Sequence, residues 1–113
     1  MKKLKLIINN PKKISSEYFN KKELQIILNL YAFMVSSGEW KDYGLNISKK
    51  EISFNVYRKT SEFPLYRITK NLNPENKNDK YLVKDINGKV LKKSEQLKSL
   101  IQNVKWKKLK LVN

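Results

Sequence analysis

Two alternating runs separated by only two residues constrain this chain most. Tyr43-Gly44-Leu45-Asn46-Ile47-Ser48 and Glu51-Ile52-Ser53-Phe54-Asn55-Val56-Tyr57 flank Lys49-Lys50, and each places apolar side chains at every second position. A period of two marks a half-buried strand, and so short a connection joins two strands as an antiparallel hairpin. Pairing them about Lys49-Lys50 sets Tyr43, Leu45 and Ile47 opposite Val56, Phe54 and Ile52 on one face. Lys-Lys is poor chemistry for a two-residue turn, so a longer loop is expected. Leu65-Tyr66-Arg67-Ile68-Thr69 follows Pro64 and extends the same face, with Tyr66 opposite Val56 and Ile68 opposite Phe54. The reverse face then carries Ser53, Asn55, Tyr57, Leu65, Arg67 and Thr69.

A helix is expected from Lys21 to Ser37. Asn20 can cap it, and Glu23 three positions on completes a capping box. Leu24, Ile27, Leu28, Tyr31, Met34 and Val35 follow helical spacing and read as a core stripe. Gly38 stands where a left-handed residue ends a helix. Residues 71–79 read as a mobile loop. Tyr81–Asp85 and Lys89–Leu91 flank Asn87-Gly88, a type I′ hairpin signal. Ser94 is expected to cap a short helix with Leu97, Leu100, Ile101 and Val104 on its apolar side. At the two ends, Lys2-Lys3-Leu4-Lys5-Leu6-Ile7 resembles Lys107-Lys108-Leu109-Lys110-Leu111-Val112, and both read as lysine-guarded edge strands. The order predicts an α+β fold: an antiparallel sheet of about four to six strands, a meander plus a hairpin, with two helices on one face.

With 113 residues, a single domain over 1–113 is expected, its first 18 residues partly flexible. Cysteine and histidine are both absent. Disulfides, thiol nucleophiles, Ser-His-Asp hydrolysis and zinc or iron–sulfur sites are therefore excluded. Three glycines in the whole chain build neither a GxxxxGK[ST] nor a GxGxxG phosphate loop. No cofactor is expected, and a catalytic role is not. No apolar run reaches the roughly 18–20 residues of a membrane span. The apolar stretch after the basic start stops at Asn9, too short for a signal peptide, so the cytoplasm is the expected compartment. The oligomeric state is not legible.

The 25 Lys plus Arg against 10 Asp plus Glu give a formal charge of +15. Arg58 and Arg67 are the only arginines, and Asn occurs 13 times. A Lys/Asn/Ile excess is what an AT-rich genome writes, so part of the charge reflects composition. The retained arginines then mark places where lysine would serve less well, because the planar guanidinium holds carboxylate or phosphate bidentately. Two uses are open: a structural pair with Glu39, Asp42 or Glu62, or an anion clamp on the polar sheet face.

Three stretches resemble a small bacterial family catalogued as domain of unknown function 2794. Leu30–Tyr43, ending in Gly38-Glu39-Trp40-Lys41-Asp42-Tyr43, is similar to that family's Gly-Glu-Trp-Arg-Asp-Tyr, with Lys41 in place of the arginine. Ser61-Glu62-Phe63-Pro64-Leu65-Tyr66-Arg67-Ile68 is similar to its Ser-Glu-x-Pro-Leu-Tyr-Arg-Ile, and the tail from Leu97 to Val112 is a weaker match. The resemblance implies a bacterial, cytoplasmic, single-domain protein and assigns no activity, cofactor or catalytic residue.

The candidate binding residues fall in two groups. Asn55, Tyr57, Arg58, Lys59 and Arg67 place a ring and cations on the polar sheet face, as single-stranded nucleic acid sites do. Trp106, Lys107, Lys108 and Lys110 interleave a ring with cations in the tail, where they read as a phosphate contact or as a solvated edge. Glu39 and Asp42 around Trp40 read as partners for nearby cations rather than an acid–base pair. The favoured function is a nucleic-acid-associated binding module using largely sequence-independent phosphate contacts. The alternative is an adaptor docking an acidic protein partner through an apolar patch or an open strand edge.

Overall fold

A computed structural model describes residues 18–58 and 63–106. The described elements run α1 (Lys21–Ser36), β1 (Asp42–Ile47), β2 (Glu51–Tyr57), β3 (Tyr66–Asn71), a 3-10 turn (Lys77–Asp79), β4 (Tyr81–Asp85), β5 (Val90–Ser94) and α2 (Leu97–Asn103). Five antiparallel strands form one meander in the order β1-β2-β3-β4-β5, an α+β fold. The two repeat-like terminal segments lie outside the described residues. Among the described residues, no helix is long and apolar enough to cross a membrane.

The registers follow from the alternation. Tyr43 faces Val56, Leu45 faces Phe54 and Ile47 faces Ile52. Phe54 in turn faces Ile68, and Ile68 faces Val83. This apolar face meets Ile27 and Met34 of α1 and Leu97 and Leu100 of α2, with Phe19 and Trp40 closing the core. The core stripe of α1 is narrower than expected. Ile27 and Met34 are fully buried, whereas Leu28 and Val35 are exposed. Half-buried Ile26 and Leu30, on the opposite flank of the helix, pack against the core instead.

Turn chemistry supplies the other departures. Three residues, Ser48-Lys49-Lys50, lie between β1 and β2, and the Ser48 N–H donates to the Glu51 carbonyl at 2.9 Å. No non-glycine among the described residues has positive φ, so the mirror-image turn is not used. Instead the Ser48 hydroxyl accepts from the amides of Lys50 and Glu51 at 3.2 and 3.1 Å. The β4–β5 turn is likewise not type I′. The Gly88 N–H donates to the Asp85 carbonyl, and Gly88 alone takes positive φ, at 83°. This is a type I turn followed by a left-handed glycine; the ladder is irregular further from the turn, between Val83 and Lys84, which face Lys92 and Val90. Asp85 Oδ1 holds the loop by accepting from the amides of Asn87 and Lys89, each at 2.9 Å.

Ser94 differs from expectation too. Ser94 ends β5, which runs beyond the expected Leu91, and its hydroxyl accepts from the Gln96 amide; Gln96 is the N-cap of α2. The connection after β3 holds the 3-10 turn, and its ends are tied down. The Asn71 N–H donates to the Lys80 carbonyl and the Leu72 N–H to the Lys50 carbonyl, both at 2.8 Å. The end of α1 follows the glycine signal: Gly38 has φ 82°, and the amides of Glu39 and Gly38 donate to the Met34 and Val35 carbonyls.

Candidate nucleic-acid interface

The polar sheet face is not an open platform. Asn55 is 4% exposed and Tyr57 9%, so neither presents a ring or amide to a base in this structure. The Ser53 hydroxyl donates to Asn55 Oδ1 at 2.9 Å, and Ser53 and Thr69 are buried beside them. Ser53 and Asn55 stand on β2 and Thr69 on the neighbouring β3. Arg67 stands across from Asn55 in β3, half-buried.

Arg58 takes the structural option. Its Nη2 stands 3.8 Å from Glu39 Oε1, and the Glu39 side chain is 4% exposed. A small recess of about 200 Å³ beside it is lined by Arg58, Leu65, Tyr66, Asp85 and Ile86. Trp106 is also structural. Its ring packs edge-on against Trp40 at 5.6 Å and Tyr66 at 5.0 Å, and its Nε1–H donates to the Ile101 carbonyl at 3.2 Å. Lys59, Lys107, Lys108 and Lys110 lie outside the described residues.

The capping glutamate of α1 also anchors the sheet. Glu23 Oε1 accepts from the Asn20 amide at 2.7 Å and from Lys70 Nζ at 2.8 Å, and Glu23 Oε2 accepts from the Tyr81 hydroxyl. Lys70 Nζ also donates to the Tyr18 carbonyl at 2.6 Å. Burial pushes the Glu23 carboxyl up, but the hydrogen bonds from Lys70, Tyr81 and Asn20 and the Lys70 charge outweigh it, and the net direction is down. Burial, then the Glu23 hydrogen bond and charge, pushes the Tyr81 phenol up. These contacts join helix to sheet. No group of His, Cys, Asp or Glu among the described residues could hold a metal ion.

The charge is concentrated elsewhere. The described residues carry sixteen basic side chains and eight carboxylates, a net of +8. Residues 77–105 alone hold eight lysines against Asp79, Asp85 and Glu95, five of those eight excess charges. Asp79 is engaged by Lys93 at 2.9 Å, and the hydrogen bond from Lys93 holds its carboxyl below the usual range. Asp85 is turned into its own loop. Lys89, Lys92, Lys98 and Lys105 remain exposed along β5 and α2. Alternation decides where they point. Lys92 faces Val83 in the register, so it projects on the helix-bearing side, where α2 packs on β4 and β5. There Leu91, Lys92, Asn103, Val104 and Lys105 line a cleft of about 250 Å³.

None of these lysines is among the candidate binding residues read from the sequence. The lysine density after residue 77 was visible there, but it was masked by lysines everywhere else. Searches of curated proteins and of solved structures return no match to this chain. The model of one family does match, over residues 18–101, which is most of the chain, and it covers the capped helix, the whole meander and most of α2. The chain therefore belongs to the family DUF2794, proteins of unknown function.

Proposed function

We propose that this chain is a non-catalytic binding module that contacts nucleic acid through the phosphate backbone, in the cytoplasm. The observation that carries the reading is the excess of positive charge in residues 77–105, of whose lysines Lys89, Lys92, Lys93, Lys98 and Lys105 lie in or next to β5 and α2. A patch with excess positive charge, here reduced by the exposed Glu95 between β5 and α2, raises the local concentration of polyanion and needs no particular base sequence. The lack of histidine and cysteine supports the non-catalytic part.

Fluorescence anisotropy of labelled single-stranded DNA, duplex DNA and RNA tests it, titrated at about 50 and about 200 mM salt. A module meeting 6–10 phosphates loses roughly 10³–10⁵ in affinity across that interval. Absence of binding to every form at low salt overturns the reading. A second reading, an adaptor for an acidic protein partner, is favoured by one feature: among the described residues β5 is an edge strand, with exposed Val90 and Leu91 among its lysines. It predicts capture of an acidic protein with no affinity for nucleic acid.

A further inference from the structure

We infer that the β5–α2 cleft is a seat for one unstacked base of a single-stranded nucleic acid, with flanking phosphates on Lys92 and Lys105. This rests on the phosphate-binding reading above and adds strandedness and a specific subsite to it. The cleft combines three chemistries in one place. Leu91 and Val104 give it apolar walls, Lys92 and Lys105 give it cations, and Asn103 gives an amide that both donates and accepts. At about 250 Å³ it falls below the ~300–1,000 Å³ of pockets that enclose a whole drug-sized ligand, which suits a single planar group entering from a chain that stays outside.

The occupant follows from what else could reach these walls. In a duplex the bases are stacked and show only their edges in the grooves, so a lysine-rimmed apolar cleft would stay empty. Nor is there a groove-reading element here: α2 is seven residues long and carries one lysine, Lys98. A bare polyanion would satisfy Lys92 and Lys105 and leave the exposed Leu91 uncovered, Val104 being already buried in the core. A single strand satisfies both, because its phosphates are charged and its bases are free to leave the stack. Asn103 can pair with either a donor or an acceptor on a base edge, so the seat tolerates different bases.

The test compares three labelled probes of equal phosphate count at low salt: an oligothymidylate, an abasic strand of the same length, and a duplex. The oligothymidylate is expected to bind roughly ten-fold more tightly than the abasic strand, and the duplex to resemble the abasic strand. Leu91→Ser, at an exposed position of an edge strand, should remove that advantage and leave abasic binding unchanged. Equal affinity for the oligothymidylate and the abasic strand overturns the base seat while the phosphate reading stands. Tighter binding of the duplex than of either strand overturns the single-strand assignment. No binding of any probe overturns the underlying reading together with the seat.

Discussion

Glu23 shows how much one residue can hold. Its carboxylate caps α1, pairs with Lys70 of β3 and accepts from Tyr81 of β4, so one side chain ties the helix to two strands. Removing it leaves a largely buried ammonium without its counter-charge. Glu23→Ala should therefore cost about 3–5 kcal/mol in urea unfolding, a loss much greater than a cap alone explains. The pH dependence follows from the same contacts. A glutamate ordinarily titrates at 4.5, and Glu23 is held lower in the folded chain. Its contribution is complete above the ordinary value and is lost as pH falls through the folded one. Tyr81 runs the opposite way: its folded value lies above the ordinary 10.0, so its contribution is complete below that pH and is lost on going further alkaline. Urea midpoints measured against pH should fall at both ends, and Glu23→Gln should flatten the acid limb. Trp106 makes a complementary case. Its ring contacts with Trp40 and Tyr66 make Trp106→Ala destabilising by about 2–3 kcal/mol, less than full burial of a tryptophan would give. Nucleic-acid affinity measured well below the melting temperature should be unchanged by it.

At the scale of elements, strand existence and pairing were legible, and turn geometry was not. Alternation in residues 43–57 predicts the β1–β2 register residue for residue, because a slip of one would turn every apolar side chain to the wrong face. The residues of the loops carry less information. Lys49-Lys50 reads as poor for a two-residue turn because the preference concerns the two loop residues themselves. Here Ser48, ahead of the lysine pair, satisfies the amides of Lys50 and Glu51. Asn87-Gly88 announces a hairpin correctly but not its type, since Asp85 upstream accepts from two amides of the loop and stabilises the type I form. Gly88 holds φ 83° with nothing within 4 Å of where a Cβ would stand. Gly88→Ala should then cost about 1–2 kcal/mol in unfolding measurements, all of it backbone strain and none of it a clash.

Across the whole molecule, the decisive asymmetry is between a polar sheet face that is closed and a basic corner that is open. The expected platform of Asn55, Tyr57 and Arg67 was inferred from alternation, which says which side a residue is on and nothing about whether that side is covered. The corner at β5 and α2 was invisible for the converse reason: it joins Lys92 to Lys105, thirteen positions apart, through the packing of α2 on the sheet. If that corner meets phosphate, Lys92→Gln combined with Lys105→Gln should reduce the slope of log affinity against log salt by about 2. Lys21→Gln combined with Lys49→Gln, on α1 and the β1–β2 turn, should leave the slope unaltered. Anisotropy across a salt series distinguishes the two pairs.

The sequence by itself determined the α+β class, the β1–β2 and β2–β3 registers, the capped helix and the excluded chemistries, because each depends on residues near one another in the chain or on residue types that are absent. Tertiary structure alone decided which lysines stand together, that Trp106 belongs to the core, and that Glu23 bonds to Lys70 and Tyr81, 47 and 58 positions away. Those contacts are made between elements, and local periodicity carries no term for the angle and depth at which one element meets another.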